Sequence, residues 1–152
     1  MPLFDAYLMV DWSAAAVPTV GRDSIWYALR AGRSERCDNL ATRAAAQAAL
    51  RALLLRLRGQ GQRVLVGFDF PFGYPAGFVA ALGLGGGWRG LWRFLAEHIA
   101  DGDDNANDRF AAAARINRER FGGRFPFWGH PQGRALDGLA AVHPDVEIVK
   151  AS

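Results

Sequence analysis

The chain has 152 residues, 51% of them hydrophobic, with 18 basic and 15 acidic side chains and a net charge of +3. That size and apolar content fit one folded domain with a real core and exclude a disordered chain. The single cysteine, Cys37, excludes an internal disulfide framework and a cysteine-based zinc site, and no apolar run approaches the roughly 18 residues of a membrane helix. Every basic residue but Lys150 is an arginine, so the positive balance reads as compositional bias rather than as a nucleic-acid-binding surface. Residues 1–5 lack the basic and long apolar regions of a signal peptide, and a cytoplasmic location is expected.

In chain order, residues 6–11 read as a short, nearly continuous apolar strand that ends in Asp11. A loop follows over 12–23, then a strand rich in β-formers over 24–29 and a short polar strand over 33–37 suited to a sheet edge. Asp38 or Asn39 is the expected N-cap of a long helix over 40–58, stopped by Gly59. Arg43, Gln47, Arg51 and Arg58 give that helix one wet stripe, with a broad apolar face of Ala and Leu around the rest. Residues 63–69 form the clearest buried strand, which ends in Asp69 before a Pro- and Phe-rich break. A short helix is expected over 76–82, a mobile glycine-rich loop over 83–90, and helices over 91–99 and 108–121. An acidic loop over 101–107, an aromatic structured loop over 121–131 and a last strand over 146–149 complete the reading. The order implies an α/β fold with a mixed sheet: a hairpin of the first two strands, then a helical crossover that lays the 63–69 strand parallel to the first.

Asp11 and Asp69 therefore stand out as a pair. On neighbouring parallel strands their tips lie about 5 Å apart. Two carboxylates that close repel each other, and a shared proton or a bound divalent cation resolves the conflict. A cation held there could stabilise the attacking and leaving oxygens of phosphoryl chemistry. The plainer alternative is that each Asp caps its own turn through backbone N–H groups.

The run Tyr7-Leu8-Met9-Val10-Asp11-Trp12-Ser13, the strand Ile25-Trp26-Tyr27-Ala28, Thr42-Arg43 opening the long helix, and the run from Val64 to Pro75 together resemble the uncharacterised predicted nucleases of the ribonuclease H-like superfamily. Some relatives there carry labels from cobalamin or molybdopterin cofactor biosynthesis. The resemblance covers residues 6–75, with Phe125-Pro126-Phe127-Trp128-Gly129 similar to an aromatic loop of the same group. It implies a ribonuclease H-like mixed β-sheet with flanking helices, and a metal-dependent nuclease or phosphodiesterase. Asp11 and Asp69 match two metal-ligand and catalytic positions, with Mg2+ or Mn2+ as the cofactor. The partners implied are nucleic acid or a phosphorylated small molecule. The family's distal half would follow where this chain stops, so one domain over 1–152, truncated at its C-terminus, is expected. The family also uses acids on the first helix and on a late helix. The 40–58 helix carries none; Glu35 and Asp38 precede it, and Glu119 and Glu147 are the fallback ligands. Two other readings follow. One is a non-catalytic binding or assembly module of the same fold. The other is a nucleotide- or phosphometabolite-binding enzyme, because Asp11-Trp12-Ser13 is similar to the first phosphate loop of the sugar-kinase branch; residues 12–20 lack the glycines that branch needs.

The remaining motifs carry less. Gly83 to Gly90 follows no strand and lacks the Gly-Lys-Ser/Thr of a P-loop. Asp101, Asp103, Asn105 and Asn107 suggest a calcium loop, but Ala106 and Ala112 fill the positions of the required Gly and Glu, and a solvated helix-start cluster is the better account. His98, His130 and His143 are scattered, and His130 is the candidate proton shuttle. The aromatics Phe68, Phe70, Phe72 and Tyr74, and Trp88 and Trp92 with their neighbouring arginines, read as a core wall and an ordinary helix surface rather than as base-stacking groups.

Overall fold

A computed structural model describes residues 3–131 and 133–143. The predicted strand over 146–149, and Glu147 with it, lie outside the described residues. The chain forms two compact units, one of residues up to 72 together with 101–106, the other of 73–100 together with the residues from 107 on.

The first unit is a four-stranded mixed sheet with one long helix. The strands are β1 (Ala6–Asp11), β2 (Ile25–Ala31), β3 (Ser34–Leu40) and β4 (Val64–Phe68), in the order β3-β2-β1-β4. β1 pairs antiparallel with β2, β2 antiparallel with β3, and β1 parallel with β4. The α/β class, the hairpin and the parallel crossover agree with the expectation. A two-residue turn links β2 to β3, and Gly32 sits there at φ 59°, the left-handed conformation that such hairpin turns need. β3 is the polar edge strand, and its pairing with β2 runs on to Leu40.

That extension moves the helix start. Asp38 and Asn39 are consumed by the sheet and do not cap the helix. Asn39 donates to Ser24 Oγ (2.6 Å) and the Ile25 carbonyl (2.8 Å), and accepts from the Gly21 N–H (2.6 Å). The helix α1 spans Arg43–Gly59, and Thr42 is its N-cap, its hydroxyl accepting from the Ala45 N–H at 3.1 Å. Gly59 is the last helical residue rather than the stop, and Gln60 closes the end. The buried face is narrow: Ala46, Leu50, Leu53 and Leu57 are buried, and the three leucines pack with Ala6, Leu8, Val10 and Tyr27. Leu54 is half-buried and Leu55 exposed, so the apolar girdle read from the sequence is not all core.

The second unit holds α2 (Phe78–Ala81), α3 (Gly87–His98) and α4 (Arg109–Ile116), the last continued by a π-helical turn over Asn117–Phe121. Its core is Leu82, Leu91, Phe94, Leu95 and Ile116. α3 begins four residues earlier than expected. Gly87 to Gly90 are helical because the start is tight: a Cβ on Gly90 would lie 1.9 Å from the Gly85 carbonyl oxygen. Asn117 is fully buried and staples the aromatic loop, donating to the Phe127 (2.8 Å) and Gly138 (2.9 Å) carbonyls and accepting from the Phe127 N–H (3.0 Å). Among the described residues no helix is long and apolar enough to cross a membrane.

Candidate functional site

Strand alternation sorts the sheet into two faces. Ala6, Leu8 and Val10 of β1 and Ile25 and Tyr27 of β2 are buried on the α1 side. Tyr7, Met9, Asp11, Trp26 and Ala28 therefore point to the other side. Asp11 is directly opposite Trp26 in the β1–β2 register. On the parallel neighbour, Val10 is opposite Phe68, and one residue further along each strand stand Asp11 and Asp69.

The register therefore sets Asp11 and Asp69 side by side at the ends of two neighbouring parallel strands. A hydrogen bond with Asp69 is the main cause that raises the Asp11 carboxyl above its ordinary value, followed by desolvation and by the Asp69 charge. A carboxyl on an arginine behaves in the opposite way. Asp5 binds the backbone and guanidinium of Arg63, beside the start of β4, and its pKa is lowered. Both carboxylates are exposed to solvent, and among the described residues no arginine or lysine pairs with either, so nothing offsets their mutual repulsion. Asp69 has one further constraint: its Oδ1 accepts the Trp12 N–H at 2.8 Å. It therefore caps the chain leaving β1 rather than its own turn.

The recess beside the pair, about 410 Å3, is lined by Met9, Asp11, Trp26, Ala28, Cys37, Gly67 and Asp69, among others. Met9 lies over Gly67, where a Cβ would come within 2.7 Å of its sulfur. A larger hollow of about 790 Å3 lies along α1, lined by Trp12, Arg51, Leu54, Arg58, Phe68 and Phe70 among others. Neither Asp11 nor Asp69 lines it, so the acid chemistry belongs to the smaller recess.

The loop that leaves Asp11 is held from below by Arg43. Expected on the wet stripe, Arg43 is instead nearly buried, its side chain 11% exposed. It pairs with Asp101 and donates to the carbonyls of Ala15 (2.7 Å) and Asn105 (2.7 Å). Asn105 completes the knot. It is 2% exposed, accepts the Arg43 N–H (2.8 Å) and donates to the Val17 (3.1 Å) and Ala41 (3.0 Å) carbonyls. Asp101 and Asn105 of the acidic loop are therefore spent on the α1 N-terminus, while Asp103 and Asp104 stay exposed to solvent. Sequence reasoning missed this role, and the isolated Arg43 at the helix start was its only local signal.

Within the first unit, no other candidate joins the acid pair. Glu35 faces Arg30, and Asp38 is held by Arg36. His98 contacts the Phe94 carbonyl, and His130, in the second unit, contacts the Pro131 carbonyl. Glu119 lies on the π-helical turn of the second unit. Among the described residues no group of three His, Cys, Asp or Glu side chains is placed to hold a metal. Phe68, Phe70 and Phe72 form a ring cluster with Trp12 at the end of β4, while Tyr74 packs with Phe78 and Phe127 in the second unit. No family model matches the chain, and neither a curated protein nor a solved structure matches it.

Proposed function

We propose that this chain is a metal-dependent phosphodiester hydrolase of ribonuclease H-like fold, with Asp11 and Asp69 as the ligands of a Mg2+ or Mn2+ ion. One observation carries the reading: two carboxylates side by side on adjacent parallel strand tips, with no cationic partner among the described residues. The β3-β2-β1-β4 order, with a helical crossover between β1 and β4, supports the fold assignment. The donor set fits one hard divalent ion, since such ions are commonly held by one or two carboxylates plus water and substrate phosphate oxygens. Bound there, the ion supplies charge stabilisation to the reacting oxygens and lowers the pKa of its water. Asp11 and Asp69 would hold the ion through their carboxylate oxygens. The Trp12 N–H holds the Asp69 carboxylate in place, and Arg43 fixes the loop that follows Asp11.

A second reading, a non-catalytic binding or assembly module of the same fold, is favoured by the want of a third acid beside the pair among the described residues. Calorimetric titration with Mn2+, run on the wild type and Asp11→Asn, tests both. One bound ion in the wild type and none in the variant is the expected result, with cleavage of single-stranded or duplex RNA or DNA, or of a phosphorylated small molecule, in a parallel screen. Mn2+ binding without hydrolysis of any substrate would favour the module. No Mn2+ binding by the wild type would end the hydrolase proposal.

A further inference from the structure

We propose that the recess beside the acid pair takes an unpaired nucleobase, with Trp26 as the positioning residue that stacks on it; this rests on the hydrolase reading above. Trp26 and Asp11 are direct cross-strand partners, which sets their Cβ atoms about 4.5–5.5 Å apart on one face of the sheet. The indole, on the second residue of β2, is 37% exposed. Its only polar group is already used, the indole N–H donating to the Gly21 carbonyl at 2.8 Å. That bond fixes the ring by its polar edge, so what it offers a ligand is an apolar π surface.

The surroundings select the ligand. Ala28 and Cys37 are small and leave room on this face, and Met9, 45% exposed, lies over Gly67 with a flexible apolar side chain. Among the described residues no basic side chain lines this recess, so a phosphate would approach only by way of a cation on Asp11 and Asp69, and the part of the substrate that lies against the exposed indole face is flat and apolar. A base on a neighbouring nucleotide meets that description. Its stacking face must be free, which specifies a single strand, an overhang or an extruded base rather than a continuous duplex. At about 410 Å3 the recess suits one nucleotide.

The test uses the full chain with Mn2+ and two labelled phosphorothioate oligomers of equal length, one of thymidylate and one abasic, with affinity read by fluorescence anisotropy. The thymidylate oligomer is expected to bind the wild type roughly tenfold or more tightly than the abasic one. Trp26→Ala should abolish that difference, and Trp26→Phe should restore most of it, which a merely structural role would not. Equal affinity for the two oligomers in the wild type, or a difference that survives in Trp26→Ala, overturns the stacking assignment and leaves the hydrolase reading standing. If calorimetry shows Mn2+ bound and neither oligomer binds, nucleic acid is the wrong substrate class and the stacking role falls with it. If no Mn2+ binds, both proposals fall. Sedimentation of the wild type and Trp26→Ala completes the test: a dimer that Trp26→Ala dissociates would make this face a self-association surface and overturn the assignment.

Discussion

Asn105 should be among the most costly single residues to replace in the first unit, although it lies in a loop between two helices of the second. Its amide makes hydrogen bonds to the Arg43 N–H and to the Val17 and Ala41 carbonyls, in a site that is 2% exposed. At about 1 kcal/mol for each buried hydrogen bond, their loss amounts to roughly 3 kcal/mol. The backbone adds a second contribution, because Asn105 stands at φ 72°. An alanine forced into that left-handed conformation costs about 1–2 kcal/mol more, and glycine escapes this cost. Asn105→Ala should thus lose roughly 4–5 kcal/mol and Asn105→Gly about 3 kcal/mol. With a urea slope of about 1–3 kcal/mol per molar, the glycine variant shifts the midpoint by 1 M or more. Urea unfolding, read together with amide hydrogen exchange in β1 and α1, assigns the loss to the first unit. An Asn105→Gly variant within about 0.5 kcal/mol of wild type would refute the claim that this amide staples the loop to the helix start, since a surface substitution does no more than that. Equal losses for alanine and glycine would refute the backbone contribution.

The acid pair predicts a pH signature. Asp11 holds its proton more strongly in the folded chain than in the unfolded one. The stabilisation this gives is complete below the ordinary carboxylate pKa and is lost as pH rises through the raised folded value. The melting temperature of Asp11→Asn minus that of the metal-free wild type should therefore increase with pH across that window and level off towards neutrality; a flat difference would refute it. Mn2+ at a hundred times its Kd should stabilise the wild type by about 2.7 kcal/mol and leave Asp11→Asn unchanged in thermal unfolding. In the second unit, Asn117→Ala removes the hydrogen bonds of a fully buried amide to Phe127 and Gly138. It should cost about 3 kcal/mol, seen as faster hydrogen exchange at Phe127. Gly90→Ala should open the start of α3, since its Cβ would meet the Gly85 oxygen at 1.9 Å. Circular dichroism should report helix loss, and an unchanged spectrum and melting temperature would contradict the tight start.

The amino-acid sequence by itself determined the strands, the long helix and the two acids. These signals are local: apolar runs of strand length at 6–11 and 63–69, each closed by an aspartate, and a 17-residue stretch of Ala, Leu and Arg between them. Boundaries were less legible where two partners compete for one residue. Asn39 is as good a helix cap as Thr42, and only the pairing of β3 with β2 assigns it to the sheet. Tertiary structure alone decided what stands around the acids. The antiparallel register put Trp26 opposite Asp11, and no spacing along the chain reveals a cross-strand neighbour. A loop more than 50 residues away supplied Asp101 and Asn105 to Arg43, turning a presumed surface charge into a nearly buried clasp. Strand tips and helix periods follow from local sterics and burial. Register and long-range hydrogen bonds follow from which surfaces meet, and that is settled only when the whole unit folds.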